Sequence, residues 1–175
     1  CTVVGTFASV HDASEAVLAV TAEIRPAMLE FMDRPSINAV EDLLRMGLDR
    51  EAGALLVAQS DAPGPAGVAE VELIQKAFES NGATEVFATE DAAEGEAFTA
   101  ARRAAIPAVE KLGSLLLEDV GVPLPALPTL IDGVESIAAD NRVMIAVIAH
   151  AGDGNTHPLI VFDPADADAV SYTHL

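Results

Sequence analysis

Residues 148–163 read IAHAGDGNTHPLIVFD: an apolar run, a glycine-rich turn between two histidines, and a second apolar run. The first run, Val143–Ala149, is rich in Val and Ile, and the second is Pro158–Phe162. Between them Gly152, Asp153, Gly154 and Asn155 tolerate the positive φ of a tight reversal. An antiparallel hairpin follows. With the turn centred on Asp153, His150 stands opposite Asn155, and His157 points to the same face as both because side chains alternate along a strand. Diagonal neighbours of that kind have Cβ atoms about 7–8 Å apart, which two imidazoles can close onto one divalent ion. Turn chemistry alone would explain the same residues, so the spacing permits a metal corner at His150 and His157 without requiring one.

Upstream, apolar periodicity predicts alternating strands and helices. Thr2–Ala8 reads as a strand and Val10–Ile24 as a helix, with Ser9 and Asp12 as its capping pair and Pro26 as its stop. Ala27–Asp33 (AMLEFMD) is a short strand. Pro35 and Ser36 suit the first turn of a second helix bearing Ile37, Val40, Leu43 and Leu44, closed by Gly47. Ala54–Gln59 has no polar face, which predicts a central strand covered on at least one side. After a loop at Ser60–Gly67 come a helix with Val68, Val71, Ile74, Ala77 and Phe78 on one face and a strand at Ala83–Ala88.

This order suits a ferredoxin-like split βαβ unit with one extra helix, or a doubly wound sheet, and the short connections favour the former. A second block holds a helix over Asp91–Leu112 interrupted at Pro107, a strand at Ser114–Val120, a helix bearing Leu130, Ile131, Val134 and Ile137, the hairpin, and the start of a helix at Asp163–Val170. The expected fold is α+β: antiparallel sheet with helices packed on one face, in ferredoxin-like subdomains at residues 1–90 and 91–175.

Charge narrows the partners. With 28 acidic residues against 9 Lys and Arg, the formal charge is −19. Such a field repels phosphate backbones and anionic lipid, which disfavours nucleic acid. It also opposes small anionic substrates unless an arginine or a metal reverses it locally. At 51% hydrophobic residues the chain is globular, yet no apolar run reaches the ~18 residues of a membrane span. Cys1 has no partner for an internal disulfide, so a reducing cytoplasm is the expected compartment.

The segment HAGDGNTHPLIVFD resembles the H-x-G-D-G-N-x-H-P hallmark of the C-terminal domain of FAD-linked oxidases of the vanillyl-alcohol oxidase superfamily, a group that includes glycolate oxidase flavin subunits, D-lactate dehydrogenases and D-2-hydroxyglutarate dehydrogenase. Three weaker matches precede it in the same order. RPAMLEFMDR is similar to the family's second strand, FTAARRAAIP to its W-x-x-R-[KR]-x-x-x-P segment, and LLLEDVGVP to the strand before V-P-x-x-x-L-P. The resemblance implies that Arg102 holds the carboxylate of a 2-hydroxy acid, a role a planar guanidinium suits. It further implies that His150 and His157 bind zinc or another divalent metal, that Asn155 contacts the cofactor, and that FAD is held mainly by an N-terminal domain.

By residue type alone Arg102 and Arg103 read as a solvated helix face, and Glu30 and Asp33 as strand-end surface or structural groups. Two departures stand against the family pattern: Thr99 replaces its tryptophan, and its later G-E-H-G-I-G segment, source of a carboxylate ligand and a catalytic histidine, is not among these residues. The terminal SYTHL does not resemble it either. The expectation is the substrate-binding part of a D-2-hydroxy acid oxidoreductase, inactive alone. The alternative is a non-catalytic ferredoxin-like module that binds a small ligand or homodimerises through a sheet edge. A third reading, alkyldihydroxyacetone-phosphate synthase chemistry, calls for a basic phosphate patch that this acidic chain lacks.

Overall fold

A computed structural model describes residues 1–165. The chain runs β1 (Thr2–Phe7), α1 (Val10–Glu23), β2 (Met28–Asp33), α2 (Arg34–Leu44), β3 (Ala54–Gln59), α3 (Pro65–Ser80) and β4 (Ala83–Thr89). It continues through α4 (Ala92–Arg103), α5 (Ala105–Val109), β5 (Ser114–Leu117), β6 (Val120–Gly121), α6 (Leu127–Asn141), β7 (Met144–His150) and β8 (Asn155–Phe162). The expected helix start at Asp163–Val170 falls largely, and the SYTHL end wholly, outside the described residues.

The eight strands among the described residues join one antiparallel sheet, ordered β4-β1-β3-β2-β7-β8-β5 with β6 pairing β8. The first four strands have the ferredoxin-like order, and α2 is the extra helix. Through the β2–β7 pairing the two halves of the chain share a sheet and a core.

The α+β class and the antiparallel sheet are as expected, but helices cover both faces rather than one. Alternate strand residues show why. Val3, Phe7, Leu29, Phe31, Leu56, Val147 and Ala149 point into one core with α1, α3 and α6. Val4, Met32, Leu55, Val57, Ala146 and Ile148 point the other way, onto α2, α4 and α5. A sheet apolar on both sides needs two covers. In β3, Ala54–Ala58 are all buried, so the missing polar face of that strand reported both layers.

The second layer starts at Asp33. Its Oδ1 accepts the Ser36 N–H at 2.9 Å and caps α2, while its Oδ2 accepts the Val147 N–H at 2.6 Å. One side chain thereby ends β2, starts α2 and ties both to β7. Smaller departures are local. The helix expected from Val68 begins at Pro65, whose ring suits the first helical turn. The strand expected over Ser114–Val120 is split at Glu118 and Asp119, where exposed acids interrupt it while Glu118 N–H still donates to Pro158 O at 3.0 Å.

Candidate functional site

The hairpin has the register its turn predicts. His150 pairs with Asn155 and Ile148 with His157, so His150, Asn155 and His157 share the face under α4 and α5. The imidazole centroids are 5.4 Å apart at 89°. The reversal is Ala151–Gly154, with Asn155 already in β8. Gly154 sits at φ 80°, and a Cβ there would lie 2.2 Å from the Val122 carbonyl oxygen, so only glycine fits.

Next to the hairpin, β2 places Glu30 directly across from His150. The carboxylate is held from two sides: Oε1 lies 2.7 Å from His150 Nδ1 and Oε2 lies 2.9 Å from Arg102 Nε. Glu30 and Arg102 side chains are 12% and 9% exposed, against 51% for His150, so the pair forms the buried floor of the site. Burial pulls the Arg102 guanidinium below its ordinary pKa and Glu30 opposes the shift. The pair is close but poorly aligned. Arg102 Nε, Arg102 Nη2 and Glu30 Oε2 are buried without a well-formed hydrogen bond among the described residues.

Arg102 reaches this floor because α4 lies close on the sheet. A Cβ on Gly95 would come within 2.4 Å of Thr2 Oγ1, so the missing side chain lets the helix settle. One turn on, the Thr99 hydroxyl donates to Gly95 O at 3.1 Å and accepts from Gln59 Nε2 at 3.3 Å. Arg102 and Arg103 part company. The first is buried, while the second turns outward to pair with Glu96, so the solvated-face reading holds only for Arg103.

Glu30 is the residue that reading by type undervalues: it is neither surface nor a mere strand end. The signal was an acid in mid-strand, between Leu29 and Phe31. His157 is mostly buried, its Nδ1 3.7 Å from the exposed Asp119. The structure therefore assembles both histidines, Asn155 and Arg102 on one side of the sheet. It does not supply a complete metal centre. Among the described residues no three His, Cys, Asp or Glu side chains converge where an ion could sit, because the one nearby buried carboxylate, Glu30, is engaged by Arg102 and His150. A hollow of about 240 Å³ beside the site is lined by Arg25, Met28, Glu30, His150 and Asp153. A larger one, about 500 Å³, lies away from these groups between α4 and the α2–β3 loop, floored by Val4, Leu55, Phe87 and Phe98.

A sequence profile for FAD linked oxidases, C-terminal domain, matches residues 1–174. The chain belongs to this family. It is 36% identical to the glycolate oxidase subunit GlcD of Escherichia coli K12 over 159 residues, covering 90% of this chain and 32% of that protein. It is 33% identical to GlcD of Bacillus subtilis 168 over 150 residues, covering 85% of this chain and 32% of that protein. This FAD-linked oxidase C-terminal domain thus spans about a third of the length of the curated relatives it matches. A solved structure of alkyldihydroxyacetonephosphate synthase aligns with TM-score 0.62 and 12% identity, covering 99% of this chain and 36% of that one, which shows a common fold. A match over residues 1–174 sets aside the alternative of a ferredoxin-like module unrelated to such enzymes. Among the described residues no helix is long and apolar enough to cross a membrane.

Proposed function

We propose that this domain is the substrate-side lobe of a flavin-dependent oxidoreductase that takes a D-2-hydroxy acid of the lactate, glycolate or 2-hydroxyglutarate kind to its 2-oxo acid, with FAD held mainly by another lobe of the same polypeptide. The observation that carries this is the orphaned Arg102 Nη2, a buried donor in want of an acceptor, on the face to which both histidines point. A carboxylate satisfies such a fork with parallel N–H bonds. Arg102 would bind the acid group and orient C2 and its hydroxyl toward His150 and His157. In a domain of charge −19 it also gives the local reversal of field that an anion requires.

The two imidazoles fit a divalent ion in part. His150 turns Nδ1 to Glu30 at 2.7 Å, which leaves its Nε2 for the ion, and the centroid of the His157 ring lies 5.4 Å from that of His150. A third ligand would come from outside the described residues. Asn155, half-buried and opposite His150, fits as an edge contact to the cofactor and no more. When bound, a zinc-like ion lowers the pKa of an alcohol and FAD accepts the C2 hydride; orientation, charge and exclusion of water belong to Arg102, Glu30 and the histidines. Alone, the 175 residues would hold no FAD and turn nothing over, and the cytoplasm is the compartment we propose from the lone cysteine.

The test is metal content and turnover of the polypeptide that joins this lobe to its flavin lobe. His150→Ala and His157→Ala should each lose the ion and on the order of 10²–10³-fold in kcat/KM. Unchanged metal and unchanged turnover in both variants would remove the site.

A further inference from the structure

On that reading of the site, we infer that Glu30 is a positioning residue that fixes the tautomer of His150, and that Arg102 acts on His150 through it. Glu30 and His150 are register partners in β2 and β7, and Nδ1 lies 2.7 Å from Oε1. An ionised carboxylate only accepts hydrogen bonds, so the proton in this contact sits on Nδ1 and the lone pair on Nε2. Arg102 Nε, 2.9 Å from the other oxygen, holds the far side of the carboxylate, whose side chain is only 12% exposed.

The contact is decisive for this ring because no other hydrogen bond among the described residues fixes where its proton sits. His150 is half exposed, and the bond to Glu30 is its side chain's only hydrogen bond among the described residues. His157 provides the contrast. Its Nδ1 is 3.7 Å from Asp119, too far for a hydrogen bond, and Asp119 is 66% exposed. Two rings 5.4 Å apart are therefore not equivalent. In its neutral form His150 presents its lone pair at Nε2, fit to accept a proton from a hydroxyl or to ligate an ion, while neutral His157 can carry its proton on either nitrogen.

The experiment is a two-bond ¹H–¹⁵N correlation of the histidine ring nitrogens in the ¹⁵N-labelled chain, free of metal and substrate, about two pH units above the ordinary imidazole pKa of about 6.5. His150 is expected to read as the Nδ1–H form and His157 as a mixture. In Glu30→Leu/Arg102→Met, which removes both charges together, His150 is expected to shift to the Nε2–H form favoured by solvated imidazole, with His157 unmoved. A wild-type His150 protonated on Nε2, or mixed like His157, overturns the inference, and so does a folded double variant in which His150 keeps its tautomer. Should the double variant not fold, the wild-type spectrum decides alone. No acid, flavin or metal is in the tube, so a failure of the hydroxy-acid reading leaves this outcome untouched.

Discussion

Arg102→Met should destabilise the domain by about 3–5 kcal/mol, because it leaves the buried Glu30 carboxylate without its cation. The attraction between the two groups is not the source of most of that loss. Desolvating both ions opposes their pairing, as the downward pull on the Arg102 pKa shows, and the imperfect alignment of Nε with Oε2 weakens it further. Glu30→Leu alone should cost a similar amount for the converse reason. The double variant Glu30→Leu/Arg102→Met should recover most of the stability, since an apolar pair of like volume has no charge to desolvate. Urea unfolding of the four proteins closes the cycle. A large coupling is expected, and losses that simply add would show that the two side chains do not depend on each other.

Asp33→Ala should cost about 2–4 kcal/mol, through the lost cap of α2 and the Val147 N–H left buried without an acceptor. The same carboxyl gives the stability a pH slope. Burial pushes its pKa from 3.8 up to about 7, and the hydrogen bonds from Ser36 and Val147 pull it down without cancelling the rise. Between those values the folded chain keeps a proton that the unfolded chain releases. The contribution of this group is therefore complete below pH 3.8 and is lost as pH climbs to about 7. Asp33→Asn cannot ionise, so wild type should lose ground to it across that window. A difference between the two that stays constant with pH would contradict the raised pKa.

The hairpin was legible because its signals are local. Turn residues set where the chain reverses, and strict alternation then puts His150, Asn155 and His157 on one face. The ferredoxin-like order was legible for the same reason, since every strand and helix of the first half carries its own period. What depended on docking was not. In AAEGEAFTAARRAAIP alanine lies on every side of the helix, so nothing in the pattern says that Gly95, Thr99 and Arg102 face the sheet while Arg103 faces water. Glu30 was obscured because its meaning comes from two partners, His150 and Arg102, at separations of 120 and 72 residues in this chain. The second helical layer follows from α2 leaving β2 without a loop, an event of chain direction that hydrophobic period does not encode.

The most direct measurement is anaerobic mixing of D- and L-2-hydroxy acids with the flavin-loaded polypeptide that contains this lobe, following loss of the oxidised flavin absorbance. The D acids should bleach the flavin and the L acids should not. Arg102→Lys, which keeps the charge but loses the fork, should raise the half-saturating acid concentration about 10-fold or more. Bleaching by neither hand, or an Arg102→Lys protein that saturates at the wild-type concentration, would contradict the account.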